Sequence, residues 1–347
     1  MKINTVNGTA EARDLGMIIP HEHIFLDLTA FFNKHAVPGI GNPESEPVKM
    51  EHLGALRRDP YALKDNLLMT DYETQRRELS FLKAAGAGTV VDLTLPGIGR
   101  NPKLLQRISA DTGLNIVMGT GFYVADTHPQ SLAAMSDKQA AQLMIKEITD
   151  GADGTDIKAG IIGEIGISER FNDAERKVLR AAALAHLATG APVNVHINPW
   201  TTAGTEAADI LINAGVKPGA ICISHIDVQN NETYINKLVD KGVYIEFDNF
   251  GKEFFVRKEV RNSGYGLFVT DSERVSLIKK LVDRGYLKQL LLSCDVCLKN
   301  LLRTYGGWGY DHVLTNIVPM LAEAGIPARD IEIILKRNPA EFLTGDK

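Results

Sequence analysis

The feature that most constrains this chain is an alternation. Short apolar, β-branched runs lie near residues 15–19, 89–93, 115–119, 160–164, 193–196, 221–224, 243–247 and 289–293. Between them run longer stretches with the 3.6-residue period of amphipathic helices, over 72–85, 137–149, 173–189, 205–214, 232–241 and 272–284. Eight strands alternating with helices predict a parallel sheet with right-handed crossovers. The simplest closure is an α/β architecture of the (β/α)8 TIM-barrel type. The alternative, a doubly wound open sheet, is weakened because no Gly-x-Gly-x-x-Gly turn follows the first strand. A chain of 347 residues that is 44% hydrophobic can bury one barrel core, so residues 1–347 are read as a single domain.

Long connections follow strands one, seven and eight, and in such a barrel they lie on the C-terminal face, where binding and chemistry sit. The connection after strand seven carries Phe250, Phe254, Phe255, Tyr265 and Phe268. These rings either pack the loop down or face a ligand.

The titratable residues collect at the same strand ends. His21 and His23 close the apolar run Ile18-Ile19-Pro20. Positions i and i+2 of an extended chain project to one side, so two imidazoles face one point, as metal ligands do. Glu164, His196, His225 and Asp295 end or follow the fourth, fifth, sixth and eighth runs. Taken singly, each has a plainer reading: a satisfied core histidine, or a helix N-cap for Asp295. Taken together, four histidines and two carboxylates on one barrel end can hold two divalent ions with one carboxylate shared.

The motifs then become specific. The sequence resembles the phosphotriesterase-related family of the amidohydrolase superfamily in Gly16-Met17-Ile18-Ile19-Pro20-His21-Glu22-His23, Val91-Asp92-Leu93-Thr94, Gly119-Thr120-Gly121-Phe122-Tyr123, Gly160-Ile161-Ile162-Gly163-Glu164-Ile165-Gly166, Ser224-His225-Ile226-Asp227, Gly306-Gly307-Trp308-Gly309-Tyr310 and Asn338-Pro339-Ala340. The resemblance implies a binuclear metal centre, zinc first and manganese second. His21, His23 and Asp295 would bind the buried ion, and His196 and His225 the exposed one. Glu164 and a hydroxide would bridge the two. The phosphotriesterases proper place a carboxylated lysine where this chain has Glu164. A glutamate bridges without modification, so assembly should need no carbon dioxide.

On this reading the chain is a hydrolase in which the hydroxide attacks a lactone or carboxyl ester, a sugar lactone among them. Asp295 would be the proton acceptor and the catalytic residue. The alternative is a phosphoester or phosphotriester hydrolase with the same centre. A phosphorylated substrate would need cationic donors, for which Lys252 and Arg303 are candidates, with Lys299 a further one and Tyr123 and His128 nearby. Leu298 and Leu301 stand where sugar-phosphate lactonases of the family carry Arg and Tyr, which argues against two phosphate contacts. His35, His52, His186 and His312 are assigned no metal.

Composition excludes other classes. A formal net charge of -5 with no Lys/Arg block gives nucleic acid and anionic membranes nothing to bind. No apolar run reaches a membrane-spanning length, and the first residues lack an apolar signal core. Three cysteines make no disulfide framework, so a cytoplasmic location is expected. The expected partner is a small molecule, and the resemblance allows a homodimer.

Overall fold

The computed structural model describes residues 2–33, 38–256 and 266–345. Eight parallel strands form one sheet: β1 (Met17–Glu22), β2 (Ala87–Asp92), β3 (Asn115–Thr120), β4 (Ile161–Ile167), β5 (Val193–Ile197), β6 (Ile221–Ile223), β7 (Tyr244–Phe247) and β8 (Leu290–Leu292). Each pairs with its sequence neighbours, so strand order follows chain order. The helices between them are α1 (Tyr72–Ala84), α2 (Pro102–Thr112), α3 (Asp137–Thr149), α4 (Asp173–Thr189), α5 (Gly204–Asn213), α6 (Glu232–Asp240) and α7 (Asp271–Asp283). The eightfold alternation is thus a nearly closed barrel with helices outside, as the pattern predicts.

Local chemistry explains the helix ends. Ser136 and Gln139 form a capping box on α3, Asn172 and Glu175 on α4, and Thr270 and Glu273 on α7. Helix α2 falls outside the helical stretches read from the sequence, although its ends carry signals. Asn101 caps it, Pro102 occupies the first turn, and Gly113 ends it in the left-handed conformation.

The barrel interior is layered. Ile18, Val91, Val117, Ile161, Cys222, Tyr244 and Leu291 pack together as an apolar floor with Ile3 and Phe342. Ile3 belongs to an N-terminal hairpin, Lys2–Thr5 with Gly8–Glu11, turned at Val6-Asn7. Val6 N–H donates to Ile116 O (2.9 Å), which seats the hairpin beneath β3. Above this floor polar side chains take over: Asn194 and His196 on β5, Glu246 on β7, and Ser293 and Asp295 after β8.

No ladder joins β1 to β8, and side chains bridge that seam instead. His21 N–H donates to Ser293 Oγ (3.1 Å), and Asp295 N–H to His21 O (3.2 Å). The buried Glu22 carboxylate accepts from Cys294 N–H (2.9 Å) and Val296 N–H (2.7 Å). Burial pushes the Glu22 carboxyl up to about 7, against the pull of these N–H groups. The strand-one run was expected over 15–19, but β1 reaches Glu22, because pairing with β2 continues to Glu22 opposite Asp92. His21 is therefore in the strand, held by the seam.

Candidate metal centre

All six expected ligands meet at the C-terminal mouth of the barrel. The local backbone aims them there. A register shift in β4 between Ile162 and Ile165 turns Glu164 inward. It requires glycine at 163, where φ is 131° and a Cβ would lie 2.3 Å from Asn194 O. His225 and Asp295 adopt left-handed backbone (φ 58° and 46°), a strained choice for non-glycine residues and one found at functional sites.

Two compact groups result. His21, His23 and Asp295 offer ligand atoms mutually within 4.8 Å, as do Glu164, His196 and His225. Glu164 stands between them. Its Oε1 is 3.3 Å from His23 Nε2, and its Oε2 is 3.4 Å from His21 Nε2, 3.1 Å from His196 Nδ1 and 3.4 Å from His225 Nε2. Asp295 Oδ1 is 3.1 Å from His23 Nε2. His21 Nε2 is buried and has no hydrogen-bond partner in the protein, although it faces both carboxylates. A buried imidazole nitrogen left in this way is costly unless it is a ligand.

The ionisation pattern is that of one interacting cluster. Burial would lower His23 and His225. The carboxylates Asp295 and Glu164 raise His23 to about 9, and Asp248 with Glu164 raises His225 to about 10. His196 is lowered by burial and by the neighbouring His225. Burial would raise Asp295 and Glu164, yet the Lys252 ammonium holds Asp295 far below the carboxylate range, and His21 and His196 do the same for Glu164.

The centre opens into a cleft of about 660 Å³. Its outer walls are apolar and aromatic, with Phe31, Phe32, Tyr61, Trp200, Phe254 and Phe268 among them. Among the described residues, Lys252 is the cation that lines it, with its ammonium on Asp295. Tyr123 also lines it, its hydroxyl 3.3 Å from His196 Nδ1. The other two expected contacts do not reach the cleft. His128 Nε2 lies 2.7 Å from Tyr123 O and its ring packs on Phe122. The Arg303 guanidinium pairs with Asp311 and lies 4.9 Å over the Phe81 ring. Neither is among the residues that line the cleft: His128 packs back on its own loop, and Arg303 reaches Phe81 on α1. Lys299 likewise pairs with Asp65 (2.6 Å). Of the loop aromatics, Phe254 and Phe268 face the cleft while Phe250 is buried; Tyr265 lies outside the described residues.

The remaining histidines have other partners. His52 pairs with Glu46 (3.1 Å), His186 Nδ1 lies 2.8 Å from Ala191 O, and His312 pairs with Asp271 (2.7 Å). His35 lies outside the described residues. Sequence reasoning missed the carboxylates behind the ligands. Glu246 Oε2 is 3.0 Å from His21 Nδ1, and Asp248 Oδ1 is 2.9 Å from His225 Nδ1. Their signal was present, since both end an apolar run as the ligands do.

Known proteins resemble this chain over nearly its whole length. The model of the phosphotriesterase family matches residues 1–343. The N-acetyltaurine hydrolase of Xenopus tropicalis is 35% identical over 348 residues, covering 99% of this chain and 98% of the relative. That of Bos taurus is 37% identical over 352 residues, with coverage of 99% and 98%. The crystal structure of a resiniferatoxin-binding protein from Rhodobacter sphaeroides superposes with a TM-score of 0.94 at 34% identity, covering 99% of this chain and 95% of that one. The phosphotriesterase homology protein from Escherichia coli, complexed with phosphate in its active site, gives 0.79 at 31% identity, with coverage of 95% and 99%.

Proposed function

The chain belongs to the phosphotriesterase family and is a hydrolytic enzyme; on that premise we propose that it cleaves an acyl bond of a small organic substrate at a pair of divalent metal ions. The observation that carries the reading is the convergence of six donors on one point, with the buried His21 Nε2 aimed into it unpartnered. The donor set fits two ions. His21, His23 and Asp295 would hold the deeper one, His196 and His225 the outer one, and Glu164 both. Imidazole and carboxylate together suit zinc first and manganese second.

Such ions, when bound, supply Lewis acidity and bring the pKa of a water toward neutrality, as one zinc does to about 7. The chain supplies the rest. Asp295 accepts the proton and passes it to the leaving nitrogen or oxygen, which makes it the catalytic residue. Lys252, beside Asp295, keeps that carboxylate ionised and fixed. Tyr123 and Lys252 face the cleft and are the substrate contacts this reading retains. The aromatic walls exclude water and hold an apolar substituent.

The relatives named N-acetyltaurine hydrolase point to an N-acyl amide as the first substrate class. A lactone or carboxyl ester is the second reading. It is favoured by a cleft that offers, among the described residues, no lining lysine or arginine besides Lys252. The substrate would be met in the cytoplasm, in keeping with three free cysteines. No helix among the described residues is long and apolar enough to cross a membrane. The test is a screen of N-acyl amides led by N-acetyltaurine, then lactones and carboxyl esters, then phosphoesters, on zinc- or manganese-loaded protein beside a metal-stripped control. Turnover of an acyl substrate that vanishes on stripping is expected. Turnover of phosphoesters alone, or turnover unaffected by stripping, would overturn the reading.

A further inference from the structure

Strand β7 supplies none of the six proposed ligands, yet it and the residue just after it carry two buried carboxylates at alternate positions. Tyr244, Glu246 and Asp248 share one face of an extended strand, so Glu246 and Asp248 rise from the apolar floor toward the ligand layer. Glu246 Oε2 meets His21 Nδ1 at 3.0 Å and also accepts from Asn194 Nδ2 and Ser224 Oγ, each at 2.9 Å. Asp248 Oδ1 meets His225 Nδ1 at 2.9 Å, and its two oxygens accept the His225 backbone N–H at 3.2 and 3.0 Å; its Oδ2 also faces His21 Nδ1, but at 3.4 Å it stands farther off than Glu246 does. Asn249 Nδ2 donates to the same Oδ1 (2.7 Å).

The other two histidines are backed differently. His23 Nδ1 lies 3.0 Å from the Thr94 hydroxyl. The His196 ring edge faces the Tyr123 hydroxyl at 3.3 and 3.4 Å. Carboxylates therefore stand behind His21 and His225 and a hydroxyl behind His23, while the Tyr123 hydroxyl lies along a His196 edge that includes the Nδ1 facing Glu164. A carboxylate on the far nitrogen fixes the tautomer and raises the basicity of the near one, whereas a hydroxyl does so weakly.

We propose that Glu246 and Asp248 are positioning residues that divide their work between the two ions, Glu246 acting through His21 on the deeper ion and Asp248 acting through His225 on the outer one. The inference rests on the binuclear reading above. His21, His225 and Asp248 also lie close enough to suggest a third ion. Glu246, which is outside that group, already holds His21 Nδ1 at 3.0 Å, and this takes one donor from such an ion.

The test compares Glu246→Gln, Asp248→Asn and Thr94→Val with wild type. Metal content after dialysis, chelator-competition affinity for zinc and the visible spectrum of the cobalt-loaded protein are read alongside activity. Glu246→Gln is expected to weaken one ion roughly 10- to 100-fold and leave the other within about threefold, with Asp248→Asn weakening the opposite ion. Thr94→Val should change neither beyond about threefold. In the double variant with His21→Ala, Glu246→Gln should add no further loss, because its effect passes through that ring. Glu246→Asp, which keeps the charge but withdraws the oxygens, serves where the amide does not fold. Unchanged affinity in both carboxylate variants, loss of both ions together, or additive loss with His21→Ala would overturn the assignment. Wild-type protein holding fewer than two ions would instead overturn the binuclear reading, so the two failures are distinguishable.

Discussion

The ligand layer at the barrel mouth and the cleft wall above it are adjacent but built by different rules. In the ligand layer each group sits on or just after a strand, and its direction follows from the alternation of the pleat, the β4 register shift and the seam hydrogen bonds at His21. In the wall, Phe31, Tyr61, Trp200, Phe254 and Phe268 come from loops whose course is set by packing. Strand-borne chemistry is fixed by local geometry, whereas loop-borne specificity depends on contacts far apart in the chain. Substitutions in the two regions should therefore fail differently.

The largest expected effect is in the ligand layer. Asp295→Asn should lower kcat by about two orders of magnitude or more, the range for a lost proton acceptor. Activity within a few-fold of wild type would erase the distinction between the regions. Next is the seam beneath it. Glu22→Leu strips Cys294 N–H and Val296 N–H of their acceptor, and two buried donors left unpaired should cost about 3 kcal/mol, read by denaturant unfolding of the metal-free protein. An unchanged midpoint would show that the seam is not held there. The wall should respond more mildly. Phe268→Ala removes part of the aromatic face and should raise KM about fivefold for substrates with a bulky apolar group, with kcat little changed. A matching fall in kcat would place Phe268 with the chemistry. Arg303→Ala should be the smallest, below about twofold on kcat/KM, because Arg303 is not among the residues that line the cleft and pairs instead with the buried Asp311. A large loss would bring Arg303 back into the site.

The same contrast explains what could be read from the chain. The barrel was legible because eight apolar runs keep strand length and spacing, and the ligands because each titratable residue follows one of those runs. Glu246 and Asp248 obey the same rule within Tyr244-Ile245-Glu246-Phe247-Asp248, so strand seven held readable chemistry that ligand spacing alone did not reveal. The N-terminal hairpin was not read from the sequence, since its strands Lys2–Thr5 and Gly8–Glu11 are short and carry no clear apolar run. His128 and Arg303 were not legible as outsiders. Whether a loop side chain turns into a cleft or onto a helix depends on partners such as Tyr123 O and Asp311, which no periodicity encodes. Arg100 is similar. It follows Gly97-Ile98-Gly99 as an ordinary loop cation would, yet it is buried against Glu147 (2.6 Å) and Asp153 (2.8 Å).

Elemental analysis during stepwise reloading of metal-stripped protein tests the central claim most directly. The account predicts two divalent ions per chain at full activity, with Glu164→Ala unable to retain the pair. Full activity with one ion or none, or a Glu164→Ala variant that keeps both ions, would contradict it.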